Sequence, residues 1–461
     1  MLEDVLRGST SLFADDAQTV LRGQENRSRR VTILKGNLVA NARSESRGVN
    51  ARVYQNGVYG FASQAEYSAD AAKAVLKAAT ENAHFLGKHA PRDLKAFPSY
   101  GRGEVVCPRG IVDFEQKQII DLCKEVDSYI EKNLEHLVSR TVVYTEDSQD
   151  KIIYSSDASS GHMTNPRCYL YVFLSAETLD GQPIELFECF GGLGSFGDNF
   201  SDTAPIYEGI RKLHKELMDK REGVYAQAGV KTVVLGGMVS GMIAHEAVGH
   251  TVEADLVLGG SVAGPCFKKQ VASDLVSMVD YASVAIDGPA KLPIYLDDEG
   301  IPAKDAELIR DGMLTGYMHS RESALRFGVE PTGNARAWWF NDEPLIRMRN
   351  TAVLPGKDKL SDIIASVDDG YYLIRTGNGQ ADLTGEFMFG VTMGYEIKNG
   401  KLGKAILDTT VSGVAFEMLK TVDMISDELV WSSSGFCGKK QMIPVSMGGP
   451  QMRCKMAIGG R

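Results

Sequence analysis

Two histidines and a glutamate stand together in GGMVSGMIAHEAVGHTVEADLV, where His245, Glu246 and His250 are spaced H-E-x-x-x-H. The whole chain has eight histidines, so a cluster of this kind is the first candidate for chemistry. Imidazole is a good neutral ligand for zinc, and two of them leave the ion positive enough to polarise a water and a carbonyl. Glu246 is free to take another part: beside the first histidine it is a general base, taking a proton from the attacking water and later passing one to a leaving amine. Amide hydrolysis without a covalent intermediate is the reaction these residue types support.

Spacing sets a condition on the backbone. Histidines four apart sit about 40° apart around a regular helix, but five apart they are separated by about 140° and cannot both face one ion. The helix must therefore end, tighten or bulge between them. Gly249, just before His250, is where an irregularity is expected, because it has no Cβ to clash. Two histidines also need a third protein ligand, and spacing leaves Glu253, His319, Cys266 and Cys437 open. Glu253 is close enough to orient an imidazole through its other nitrogen instead. Cys437 lies in the glycine-flanked turn SSSGFCGKKQMIPV.

The elements that must position these groups are legible as α+β. An N-terminal α/β region with antiparallel strands and long helices is expected over residues 1–228. A β-rich C-terminal domain containing the metal-site helix follows over 229–461, after the join KREGVYAQAG. Following a helical start, VTILKGNLVANARSESRGVNARVYQNGVYGFAS reads as antiparallel strands with Asn56-Gly57 as a hairpin turn. Glu66 to Leu86 reads as a helix. From Phe114 to Leu137, apolar residues recur at three- and four-residue spacing, which predicts a second, amphipathic helix. RTVVYTE, KIIYSSD, RCYLYVFLSAE and PIELFECF read as strand pieces, and Ile206 to Glu222 as a third helix. Pro91 to Gly110 reads as a connector, GGLGSFGDNF (Gly191 to Phe200) as a loop or lid, and QENRSRR (Gln24 to Arg30) as a solvated turn. KTVVLGG, GYYLIRTGNG, GEFMFGVTMGYEIKNG and KLGKAILDTTVSG supply extended segments to the second half.

Bulk properties exclude several classes. With 461 residues, 43% hydrophobic and 24% charged, the chain is long enough for more than one core and lies in the ordinary globular range. The start MLEDVLRGSTSLFADD does not read as a signal peptide and no segment reads as a membrane helix, so the expected compartment is the cytoplasm. Seven widely spaced cysteines are not a disulfide framework. A formal charge of -10 disfavours broad attraction to nucleic acid or anionic lipid, and neither is an expected partner.

Longer segments carry a resemblance. HEAVGHTVEAD, SGFCGKKQMIPVSMGGPQMRCKMAIGG, RGVNARVYQNGVYGFAS, LDDEG, GYMHSRESALRFG, GNARAWWFNDEPLIRMRNTAVLPG and MGYEIKNGKLGKAILDTTVSG together resemble the TldD/PmbA family, in its TldD-like metal-binding branch. The family is also called a modulator of DNA gyrase. The resemblance implies a zinc peptidase acting on small or unfolded polypeptides, with His245, His250 and Cys437 as Zn2+ ligands and Glu246 as general base. Cys454 matches none of these roles. It also implies a dimer, either a homodimer or a heterodimer with a related subunit lacking the zinc motif. TVEAD and KKQMIPVSMGGP depart from the usual family wording, although no proposed ligand is lost.

Other residues have weaker claims. Tyr317, His319 and Arg321 could stabilise an oxyanion, and Arg336 and Arg347 could anchor substrate or a loop. Asp297, Asp298 and Glu299 read as a solvated turn. Trp338 and Trp339 suit a peptide channel, a core or an interface. Two alternatives to a peptidase are a noncatalytic partner or peptide-binding scaffold, and a metal-dependent hydrolase of a nonpeptide amide or ester.

Overall fold

The computed structural model describes residues 2–89, 96–101, 103–107, 110 and 112–460. Its N-terminal half is built on a seven-stranded sheet in the order Val58–Gln64, Asn37–Gln55, Gln18–Leu34, Ser139–Ser155, Ser160–Glu177 and Glu104–Cys107, with Pro183–Leu193 also paired to Ser160–Glu177. Asn56 and Gly57 take φ values of 50° and 85°, the left-handed pair that a two-residue hairpin needs. Helices Ala69–Gly87, Gln116–Asn133 and Ala204–Arg221 lie on this sheet. Ser68 caps the first by accepting from the Ala71 N–H, and Glu115 and Gln118 form a reciprocal cap on the second.

Alternation along the strands gives the sheet two different faces. Leu21, Val31 and Ile33, with Val142, Tyr144, Leu170, Val172 and Leu174, are buried on the helix side. The residues between them, Arg22, Gln24 and Asn26, turn the other way and are buried against the C-terminal half. Gln24, Asn26 and Gln149 all donate to the Trp338 carbonyl, and Arg22 and Lys151 pair with Asp298. Five polar side chains thus join the halves by buried hydrogen bonds, which is why this face tolerates so much polarity.

The C-terminal half contains a second seven-stranded sheet in the order Asp369–Ala381, Gly229–Leu235, Met452–Ile458, Thr409–Val414, Glu386–Lys398 and Lys401–Ile406, with Met424–Ile425 also paired to Met452–Ile458. Asp369–Ala381 also pairs with Glu386–Lys398, so the path returns on itself and closes a barrel. A six-stranded sheet stands beside it and ends in Asn350–Val353, Ile443–Gly449 and Val430–Cys437. The expected α+β organisation is observed, with a β-rich C-terminal region that carries the histidine helix.

Several local readings are corrected. QENRSRR is no turn: it lies inside strand Gln18–Leu34, with Gln24, Asn26 and Arg29 buried. Its charges misled because the polar face of this sheet is covered by polar groups rather than by water. RTVVYTE and KIIYSSD are one strand, Ser139–Ser155. GGLGSFGDNF is the end of strand Pro183–Leu193 followed by a short helix, Phe196–Phe200, so no open loop or lid is present there. The acids of LDDEG are buried, because Asp298 meets Arg22 and Lys151, Glu299 meets Arg52, and Asp297 accepts backbone N–H groups of Glu299 and Ile301. The connector expected over residues 91–110 lies partly outside the described residues, and within it Glu104–Cys107 is a strand.

Candidate metal centre

The histidine segment follows a short helix, Gly237–Met242, that packs directly on strand Ile443–Gly449. A Cβ on Gly449 would lie 2.6 Å from Ser240 Cβ and 2.9 Å from the Gly241 nitrogen, so only glycine permits this approach. From Ile243 to Gly249 the helix widens into a π-helical turn, and the His250 N–H bonds the His245 carbonyl five residues back. With about 4.4 residues per turn, five residues advance the chain by one turn plus roughly 50°, which returns His250 to the face of His245. The expected irregularity is present, but it spans the whole segment, and Gly249 keeps an ordinary right-handed φ of -52°. The role of Gly249 is space, because a Cβ there would lie 2.1 Å from the sulfur of buried Met348.

Cys437 arrives from a different part of the fold, at the end of strand Val430–Cys437 in register with Ile443. Its Sγ lies 3.3 Å from His250 Nε2, and the ligand atoms of His245, His250 and Cys437 all fall within 4.8 Å of one another. Of the four residues left open as third ligand, Cys437 is the one brought to the histidines. Glu253 instead accepts a hydrogen bond from His250 Nδ1 at 3.0 Å, leaving Nε2 turned to the sulfur. His319 shares a hydrogen bond with Ser323 and packs on Tyr317 and Phe327, and Cys266 is not in the cluster.

A divalent cation fits this donor set. His245 is 1% exposed, yet neither ring nitrogen has a hydrogen-bond partner among the described residues. Two buried unsatisfied nitrogens are costly unless something else uses them. Burial alone would raise the Cys437 thiol, but His245 and His250 beside it outweigh burial and pull it down to about 3, which favours the thiolate form that binds metal. Burial likewise opposes charge on His250, but Cys437 and Glu253 outweigh it and raise the imidazole to about 10. One soft sulfur and two imidazoles are the N/S donor types that would hold zinc and leave a further position for water or substrate.

Two further residues hold the halves of the site together. Lys439 reaches Glu253 at 3.2 Å and Asp255 at 2.7 Å, tying the cysteine loop to the segment after His250. Arg347, fully buried, donates to the Cys437 carbonyl at 2.6 Å and the Gln441 carbonyl at 2.8 Å. Arg347 is therefore the loop anchor that was one of its two readings. Nothing in the spacing of Lys439 distinguished it from Lys440. Arg336 donates to Pro444 and Met348 carbonyls, Tyr317 to the Ala263 carbonyl, and Arg321 pairs with Asp157. Their hydrogen bonds are internal to the fold.

Glu246 stands over the cluster, 3.6 Å from His250 and 3.9 Å from His245, with 24% of its side chain exposed. It opens onto an 820 Å³ pocket that His245, His250, Thr376, Gln380, Ser434 and Lys439 help to line. Among the described residues no helix is long and apolar enough to cross a membrane.

Known proteins resemble this chain over most of its length. Residues 228–460 match the model of the PmbA/TldA metallopeptidase C-terminal domain, and residues 20–83 that of PmbA/TldA metallopeptidase domain 1. A Methanothermobacter thermautotrophicus protein called a metalloprotease is 29% identical over 95% of this chain and 94% of its own. A Buchnera aphidicola protein called a metalloprotease TldD homolog is 31% identical over 90% of this chain and 86% of its own. The crystal structure of TldE from Thermococcus kodakarensis superposes with a TM-score of 0.75 at 15% identity, covering 100% of this chain and 99% of that one.

Proposed function

The chain belongs to the TldD/PmbA metallopeptidase family, and from that premise we propose that it is a zinc peptidase cleaving small or unfolded polypeptides. The observation that carries the proposal is the convergence of His245, His250 and Cys437 within 4.8 Å, beneath a carboxylate that opens onto a pocket. The three residues would hold the metal, which when bound supplies charge that polarises a scissile carbonyl and acidifies water.

The chain's own groups account for the rest. Glu246 takes the proton of the attacking water on a carboxylate oxygen and returns a proton to the departing amine nitrogen, so the base and the later acid are one group. Glu253, bonded to His250 Nδ1, orients the ring with Nε2 towards the other two ligands. Strand Asp369–Ala381 supports extended binding. Its parallel pairing to Gly229–Leu235 ends at Leu373, and Thr376 to Ala381 run on along the pocket wall. A peptide laid there adds by backbone hydrogen bonds, which suits varied sequences. A dimer, with itself or with a related subunit lacking the motif, and a cytoplasmic location belong to the same reading.

The test is Glu246→Gln in zinc-reconstituted protein. The amide cannot take the proton, so zinc stoichiometry is retained while peptide turnover falls by about a hundredfold or more. Turnover within threefold of wild type would remove Glu246 as base, and a small ester cleaved faster than any peptide would favour the nonpeptide hydrolase.

A further inference from the structure

A second cavity of 500 Å³ adjoins the metal pocket and shares Tyr171 and Phe436 with it. Its walls include Tyr169, Tyr171, Phe173, Trp338, Trp339 and Phe436. Strand Ser160–Glu177 supplies three of these at every second position, on the sheet face opposite Leu170, Val172 and Leu174, which fill the core. Aromatic rings that could have been buried under the helices are instead directed at a cavity, and an open apolar lining of this kind marks a ligand surface.

The lining is also fixed in place. Arg167 is fully buried and donates hydrogen bonds to both carboxylate oxygens of Asp147, with its guanidinium 5.7, 5.5 and 5.8 Å from the rings of Tyr169, Trp338 and Phe436. Tyr169 donates its hydroxyl to the Ser433 carbonyl at 2.7 Å, attaching the aromatic stripe to the strand that ends in Cys437. Successive side chains on that strand leave opposite faces. Cys437 turns inward to His250, and its neighbour Phe436 is left 46% exposed at the boundary of the two cavities.

We propose that this cavity is a specificity subsite that takes an aromatic side chain of the peptide substrate, within about two residues of the scissile bond. The distance follows from adjacency, since Phe436 and Cys437 are consecutive residues of one extended strand, about 3.3 Å apart along the chain. Ring faces and edges recognise another ring by offset or edge-on packing, and Arg27, Arg29 and Arg30 on the same cavity's walls offer guanidinium groups on which such a ring can stack. The inference rests on the peptidase reading and deepens it: the backbone is held without regard to sequence, and this cavity supplies a preference.

The experiment uses the full chain in two forms. Zinc-reconstituted protein is given peptides identical except for Phe, Ala or Asp at each position around the bond cleaved. The Glu246→Gln protein is given the same peptide carrying a photoreactive benzoyl-phenylalanine. We expect kcat/KM for Phe to exceed that for Ala by about tenfold at one position within two residues of the bond. Crosslinks should fall on the segments containing Trp339 or Phe436. Trp339→Ala and Phe173→Ala, both away from the ligands, should each lower the Phe-to-Ala ratio below threefold with one zinc still bound. Equal rates for Phe and Ala, or crosslinks that avoid both segments, would overturn the subsite. Crosslinks there with no peptide cleaved would keep the subsite and defeat the peptidase reading.

Discussion

Replacing Gly249 by alanine sets two effects against each other at the metal centre. Gly249 has a helical φ of -52°, and in an open helix alanine would be favoured there by about 1 kcal/mol. The structure opposes this, because the new Cβ would sit 2.1 Å from Met348 Sδ and 3.0 Å from the Ala244 carbonyl. An ordinary contact is nearer 4 Å, so the sulfur must retreat by about 1.9 Å or the π turn must shift. Met348 is fully buried, which leaves it little room, and overpacking of this kind costs about 1–3 kcal/mol. Sterics should win: a contact of 2.1 Å puts the cost in the upper part of that range, and after the propensity gain Gly249→Ala lowers stability by about 1–2 kcal/mol in urea denaturation. Because Ala244 adjoins His245, part of the displacement reaches a ligand, and zinc affinity should fall by about tenfold in a chelator competition. Shortening the obstructing side chain in a Gly249→Ala, Met348→Ala double variant should show a favourable coupling of about 1 kcal/mol between the sites. A Gly249→Ala protein as stable as wild type, with unchanged zinc affinity, would refute the claim that this glycine is there for space.

Glu253→Ala removes the acceptor of His250 Nδ1 and one partner of Lys439, so zinc affinity should drop by about 10- to 100-fold, read by competition with a chelating dye. Unchanged affinity would show that Glu253 does not orient the ligand. Burial holds His319 down to about 4, against an unfolded value of 6.5. The unfolded chain therefore binds more protons between those values, and stability is lost as pH falls from 6.5 towards 4, by up to about 3 kcal/mol. His319→Gln should be free of that loss, so its stability relative to wild type should rise by about 2–3 kcal/mol between pH 7 and pH 4.5. An equal acid loss in both proteins would place the titration elsewhere.

The histidine pair was legible because ligand type and spacing are local properties, and the five-residue interval itself demanded a break in regular helix. Gly249 was singled out correctly, for a reason that holds only in part. The lack of a Cβ matters because Met348 presses on it from 99 residues away, a contact no local pattern contains. The polar stretch at Gln24 to Arg30 was misread because polarity ordinarily signals water, and here it signals partners from distant segments, the Trp338 carbonyl and Asp113. The acids of LDDEG were misread for the same reason, since Arg22, Arg52 and Lys151 approach from strands far away in the chain.

By itself, then, the sequence determined the chemistry available: two imidazoles with a carboxylate beside the first, on a helix that could not be regular, in a chain alternating between helix and strand periods. Tertiary structure brought one thiol to the two imidazoles. Cys437 is 187 residues from His250, and residue identity could not rank it above Cys266 or His319. That choice depends on closing a barrel, packing Gly241 against Gly449 and anchoring the Cys437 carbonyl on Arg347. Such contacts join distant segments, and their free energy exists only once the chain has already brought those segments together.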